Sequence, residues 1–228
     1  MMQRMIPTLA FCWLLAAVGA AHAQTLAERC AAGVASGDFR TCAVAVAEQP
    51  ADPALRRLYA QSLAKAADYD GAVREYGEVT RLAPADGRAF YEYGWMLAFV
   101  RRYREAVDPI EEAIRLRPDH APSYRAATII YQIIKRPEDV LRMALAGAKL
   151  GDSIAMFDAY ECYLAGTGTA KDDAQAYAWL VKAAEAGHIM AMDRLAALFL
   201  NGGLGQAADE RKAEDWATKA RLARAGKL

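Results

Sequence analysis

The chain repeats itself, first with a period of 34 residues and later with periods of 36 and 37. Four early positions recur 34 residues on: Tyr69 as Tyr103, Ala72 as Ala106, Leu82 as Leu116 and Pro84 as Pro118. After residue 150, a second set recurs 36 or 37 residues on: Gly151 as Gly187, Ala155 as Ala191, Leu164 as Leu200, Gly166 as Gly202, Trp179 as Trp216 and Lys182 as Lys219. Periods of this length are typical of arrays in which each unit packs on its neighbours.

The composition favours helices and excludes several functions. Of the 228 residues, 55% are hydrophobic, and much of that share is Ala rather than Val or Ile, which favours helix over sheet. The 28 basic residues balance the 28 acidic ones, so no basic surface for nucleic acid is expected. Three His and four scattered Cys provide little for a metal site, and we expect no metal or cofactor.

The 34-residue pattern resembles the tetratricopeptide repeat, a helix–turn–helix unit. One repeat covers 53–86, the next 87–120, and a shortened third covers 121–150. Ala60 and Ala72 fall where the two helices of a repeat touch, and Tyr69 is expected to fill the space beneath the turn. Pro84 and Pro118 are expected to end the second helices, because proline lacks the N–H that a helical hydrogen bond needs.

The later pattern looks like a Sel1-like repeat. The first copy contains Tyr163-Leu164-Ala165-Gly166-Thr167-Gly168 and Lys182-Ala183-Ala184-Glu185-Ala186-Gly187, and the second copy covers 188–226. Asp172 and Asp209 stand where a helix N-cap is wanted. Together the two resemblances imply an all-α fold, an α-solenoid with a right-handed superhelix. The expected organisation is a truncated helical hairpin at 24–50, tetratricopeptide repeats at 51–150 and Sel1-like repeats at 151–228.

Residues 1–23 have the layout of a secretory signal peptide. Arg4 precedes an apolar run from Leu9 to Ala20, which is followed by Ala21-His22-Ala23, an A-x-A cleavage pattern. The run is shorter than a membrane-spanning helix requires, although an uncleaved anchor is the alternative. We expect cleavage after Ala23, a secreted or periplasmic location, and no membrane span in the mature chain.

The cysteines suggest one disulfide. Counting from the turn at Gly37 places Cys30 and Cys42 at the repeat positions of Ala60 and Ala72, where paired helices lie closest, and an exported protein folds where disulfides form. The alternative is two buried thiols. Cys162 is expected to be a buried, inert thiol, and pairing between molecules is its alternative.

No catalytic constellation is found. Ser62-Leu63-Ala64-Lys65 matches the S-x-x-K string of penicillin-recognising enzymes, but the S-D-N and K-T-G elements that this chemistry needs are absent. His120 and His188 are 68 residues apart and follow no ligand spacing.

Tetratricopeptide arrays line a concave groove with the first helix of each repeat, and this resemblance places a stripe there at i, i+4 and i+8. The predicted partner-binding residues are Arg57, Gln61, Lys65, Tyr91, Trp95, Phe99, Arg125 and Ile129. Exposed aromatic residues among basic ones suit peptide recognition. The alternative, in which these rings pack on the neighbouring repeat, is equally open.

The sequence therefore favours an exported, non-catalytic scaffold that binds a protein or peptide segment in its groove. A cell-envelope enzyme acting on cell-wall material, or a regulatory subunit of such an enzyme, is the alternative.

Overall fold

The computed structural model describes residues 26–36 and 38–227, so the signal peptide predicted at 1–23 lies outside the described residues. The described residues form twelve helices and no strand beyond an isolated bridge between Gly203 and Gln206. The helices are α1 (26–36), α2 (Phe39–Glu48), α3 (Pro53–Lys65), α4 (Tyr69–Leu82), α5 (Gly87–Phe99), α6 (Tyr103–Leu116), α7 (Ala121–Ile133), α8 (Pro137–Lys149), α9 (Ser153–Ala165), α10 (Asp173–Glu185), α11 (Ile189–Asn201) and α12 (Glu210–Arg224).

Aspartates start most of these helices. A carboxylate at the N-cap position accepts a backbone N–H that has no partner within the helix. This capping occurs at Asp38, Asp52, Asp68, Asp86, Asp152, Asp172 and Asp209. The two caps predicted from the sequence, at Asp172 and Asp209, are among them.

Proline follows the ends of two helices, as the repeats predict, and glycine follows the ends of two others. Helices α4 and α6 stop at Leu82 and Leu116, two residues before Pro84 and Pro118. Gly151 and Gly187 occupy the turns that follow α8 and α10, with φ of +83° and +88°. Only glycine adopts such angles without strain, which explains why glycine recurs at this position.

The described residues up to Val100 form one compact unit, and those from Arg101 onward form a second. In the first unit, α2 packs on α3, α3 on α4 and α4 on α5. Ala60 and Ala72 are completely buried in one of its core clusters, together with Leu63 and Tyr76. Small side chains at this position let α3 and α4 approach closely, as expected.

Cys30 and Cys42 form a disulfide at the start of the first unit. Their Cα atoms lie 4.5 Å apart, and both side chains are fully buried beside Leu26 and Leu55. The bond therefore links α1 to α2 inside a small apolar cluster.

In the second unit, each helix from α6 to α12 packs on the next one along the chain. The core of its last four helices is built on Phe157, Leu180, Leu195 and Phe199. The repeated Trp and Lys residues form matching pairs. The Lys182 ammonium lies 4.1 Å from the centre of the Trp179 ring, and the Lys219 ammonium lies 4.0 Å from that of Trp216. Cation–π attraction of this kind stabilises each pair.

Cys162 is buried, with 3% of its surface exposed. Burial raises the pKa of its thiol to about 11, so the group stays protonated at neutral pH and is a weak nucleophile. The expectation of a buried, inert thiol agrees with this environment.

Candidate functional site

An apolar cavity of about 520 Å³ opens in the first unit, at the place where the ends of α3, α4 and α5 come together. Helices α3 and α5 end there and α4 begins there, because consecutive helices run in opposite directions. The main lining side chains are Gln61, Lys65, Tyr69, Trp95, Met96 and Phe99. Four of the predicted partner-binding residues, Gln61, Lys65, Trp95 and Phe99, are thus brought together.

Aromatic rings form the rim of this cavity. Trp95 and Phe99 expose 43% and 57% of their surface, although each is large and apolar. The Tyr91 ring stacks on that of Trp95, with 6.5 Å between centroids. The Tyr69 ring meets that of Phe99 edge-on at 4.9 Å. Exposed aromatic clusters of this kind mark binding surfaces.

Lys65 is the single basic residue in the cavity lining. Its ammonium donates a hydrogen bond to the carbonyl oxygen of Ala35 at 3.4 Å. Among the described residues, no carboxylate lies within ion-pair distance of it. The positive charge at this edge of the cavity is therefore available to a ligand.

Arg57 lies outside the cavity lining and is held in ion pairs. Its guanidinium contacts the carboxylates of Asp86 and, at 2.8 Å, Glu92. Burial disfavours the charged form of Arg57, but these two carboxylates outweigh burial and raise its pKa. Arg57 therefore connects α3 to the start of α5 within the first unit.

The second unit contains the two remaining predicted residues on α7. Arg125 lies 3.6 Å from the carboxylate of Asp152. Ile129 and Ile133, one turn apart, each expose 45% of their surface. They form an apolar strip on this helix.

The sequence interpretation missed five lining residues: Val34, Ala64, Tyr69, Tyr76 and Met96. Tyr69 was expected to fill the space beneath the turn, but 37% of its surface is exposed and its ring contacts Phe99. The position of Tyr69 at the start of α4 could have revealed its place in the cavity, because it lies at the same end of the unit as Lys65 and Phe99. Tyr76 is buried, which raises the pKa of its hydroxyl to about 12.

Ser62 of the S-x-x-K string is fully buried, and its hydroxyl donates to the carbonyl oxygen of Tyr59 at 2.7 Å. The hydroxyl therefore serves its own helix and does not face a substrate.

His188 accepts a hydrogen bond from the N–H of Ala191 as the N-cap of α11, and burial lowers its pKa. Within 26–36 and 38–227, no three His, Cys, Asp or Glu side chains come together as metal ligands. None of the helices in these ranges is long and apolar enough to cross a membrane.

Known families and structures agree with this helical architecture. The Sel1 repeat model matches residues 148–188 and 189–223. The chain therefore contains two Sel1 repeats. They cover α9 to α12, in which the Trp–Lys pairs recur. None of the curated proteins matches this sequence.

Solved structures of helical-repeat proteins are similar to the chain over most of its length. A Sel1 repeat protein from Oxalobacter formigenes is 21% identical, with a TM-score of 0.59 over 80% of this chain and 76% of the other. PilF from Pseudomonas aeruginosa is 15% identical, with a TM-score of 0.64 over 89% and 91% of the two chains. YrrB, described as a TPR protein with an unusual peptide-binding site, is 22% identical, with a TM-score of 0.58 over 82% and 98%. The predicted all-α, solenoid-type repeat fold is confirmed.

Proposed function

We propose that the protein is an exported, non-catalytic scaffold that binds a segment of a partner protein at the apolar cavity of its first unit. One observation carries the proposal: Trp95 and Phe99, both large and apolar, stand exposed around a cavity of about 520 Å³. Leaving such rings in water costs free energy. A partner that covers them recovers that free energy as affinity.

The chemistry of the cavity defines the kind of segment that fits. Its lining is dominated by aromatic and aliphatic groups, so a large apolar side chain such as Leu or Phe suits the interior. Lys65 at the edge favours an Asp or Glu close to that side chain, because the ammonium has no carboxylate partner among the described residues. The expected ligand is a peptide segment that combines one bulky apolar residue with a neighbouring acid.

Export rests on the sequence of residues 1–23 and is supported by the disulfide. A bond between Cys30 and Cys42 persists in an oxidising compartment and is rare in the cytosol. In a Gram-negative host, that compartment is the periplasm. The partner is then a protein of the cell envelope.

A random peptide library displayed on phage tests the binding proposal. Peptides enriched by the wild-type protein should carry a large apolar residue next to Asp or Glu. The double variant W95A/F99A should bind them at least about tenfold more weakly, since two exposed anchors are lost. The variant K65E should shift the preference from acidic to basic neighbours.

Leu200→Ala is the matched control, because Leu200 is also a large apolar residue, 60% exposed, but on α11 of the second unit. L200A should retain full binding. Circular dichroism should show equal helicity for all variants, since none of the changed side chains is buried. Enriched peptides that bind W95A/F99A as tightly as the wild type would refute the proposed site.

A further inference from the structure

A second cavity, of about 300 Å³, lies in the second unit and is chemically unlike the first. Its walls come from α7, α8, α9 and the loop that follows α9. Val140, Leu164 and Ala165 form an apolar wall. The remainder is lined by Thr128, Gln132, Asp158, Glu161, Cys162 and Thr167. No Lys, Arg or His is among its lining residues.

The cavity is rich in acceptor groups, and its neutral donors are the Gln132 amide and the Thr167 hydroxyl. The Thr128 side chain is 96% buried, and its hydroxyl donates its one proton to the carbonyl oxygen of Tyr124 at 2.9 Å. It therefore presents only lone pairs to the cavity. Carboxylates of Asp158 and Glu161 add negative charge. A ligand that satisfies Thr128 and the two carboxylates has to be a donor.

Asp158 is the group that most needs a partner. Its carboxylate lies in the cavity wall and accepts no hydrogen bond from the described residues. Burial raises its pKa to about 6, and the negative charges of Glu161 and Asp152 act in the same direction, whereas Arg125 opposes them. A cation bound beside Asp158 would remove this penalty.

The size and walls of the cavity select among cations. A divalent metal needs several carboxylates or imidazoles together, and the described residues provide no such group. An ammonium has three donors and no acceptor, and an aliphatic stem attached to it covers the apolar wall at Val140 and Leu164. This combination matches two carboxylates and several neutral oxygens around a narrow space.

We propose that this cavity binds a primary alkylammonium group, with Asp158 as its counter-ion and the aliphatic stem against Val140 and Leu164. Two sources supply this chemistry, a lysine side chain of a protein partner and a free aliphatic diamine. The site is separate from the apolar cavity of the first unit. Its ligand is independent of the peptide segment proposed there.

Titrations followed by NMR test the proposal on the purified protein. The probes are Nα-acetyl-lysine methylamide, cadaverine, and Nα,Nε-diacetyl-lysine methylamide as the neutral analogue. We expect saturable binding of a charged probe and none of the neutral one. Tighter binding of the lysine derivative assigns the site to a protein lysine, and tighter binding of cadaverine assigns it to a free diamine. Affinity should fall below pH 6, where Asp158 becomes protonated.

Asp158→Asn keeps the size of the side chain and removes its charge, and it should weaken binding at least about tenfold. Asp108→Asn is the matched control, because Asp108 is exposed on α6 and lies outside the cavity lining, and it should bind like the wild type. A second measurement uses Cys162 in the cavity wall: a saturating probe should slow its alkylation, mapped by mass spectrometry. Equal binding of the neutral analogue, or unchanged affinity in D158N, overturns the proposal.

Discussion

The disulfide at the start of the chain allows the stability of one segment to be tested separately. Cys30 and Cys42 are 12 residues apart, and closing a loop of this length lowers the entropy of the unfolded segment by the equivalent of about 3 kcal/mol. The segment α1–α2 lies at one end of the array, where α2 packs on α3. Breaking the bond should therefore open this segment and leave the remaining helices folded.

Hydrogen exchange measured by mass spectrometry follows this opening. If the segment becomes less stable by about 3 kcal/mol, amides within residues 26–48 that exchange through local opening should exchange roughly a hundredfold faster. The perturbation is made twice, by reduction of the wild-type protein and by the double variant C30A/C42A. Amides of α9 to α12 are the internal control, and their exchange should not change.

Thiol titration establishes whether the bond forms in the purified protein. The denatured, unreduced mature chain should show one free thiol, that of Cys162, whereas two buried thiols in place of the bond would give three. If the thiols of Cys30 and Cys42 are shown to be free after reduction and the exchange of residues 26–48 stays the same, the reasoning about loop entropy is refuted. Reduction of C30A/C42A should have no effect on exchange in that segment.

Three further outcomes are expected. Burial raises the pKa of Asp158 to about 6, so folding favours the protonated form of this carboxyl group. The stability that the protein has at pH 4 is therefore partly lost as the pH rises through that value. After allowance for partial solvent screening, the free energy of unfolding of D158N at pH 7.5 should exceed that of the wild type by about 1–2 kcal/mol. In urea titrations this difference should vanish near pH 4, and a constant difference would contradict the assignment. R57A should lower the free energy of unfolding by about 1–2 kcal/mol, because Asp86 and Glu92 lose their partner, while peptide affinity at the apolar cavity should not change. Intact mass of the protein from a periplasmic fraction should correspond to a chain that begins at Gln24, and a mass that includes residues 1–23 would contradict cleavage.

Periodicity was enough to predict the helices and much of their packing. Ala60, Ala72 and the Trp–Lys pairs are set by the local geometry of one repeat, and a residue that recurs at the same repeat position has the same environment in each copy. The caps at Asp172 and Asp209 were equally predictable, because capping depends on a few neighbouring residues.

The candidate site was only partly predictable, since its residues are set by contacts between helices. A stripe at i, i+4 and i+8 included Trp95 and Phe99, which line the same cavity, but also Arg57, which lies outside it. The ion pairs of Arg57 depend on where α3 meets the start of α5, and the sequence of a single repeat does not specify that contact. Tyr69 was missed for the same reason: its exposure depends on α5, which begins eighteen residues further along the chain.

The tryptophans of the chain differ in a way that bears on how ligands can be detected. Of the four Trp residues, Trp13 lies in the predicted signal peptide, and Lys182 and Lys219 cover the rings of Trp179 and Trp216. Trp95 stands 43% exposed at the rim of the apolar cavity. A quencher such as acrylamide should therefore reach Trp95 first. The mature protein carries its own fluorescent reporter, and a blue shift of the quenchable emission would signal that a ligand has displaced water from that cavity.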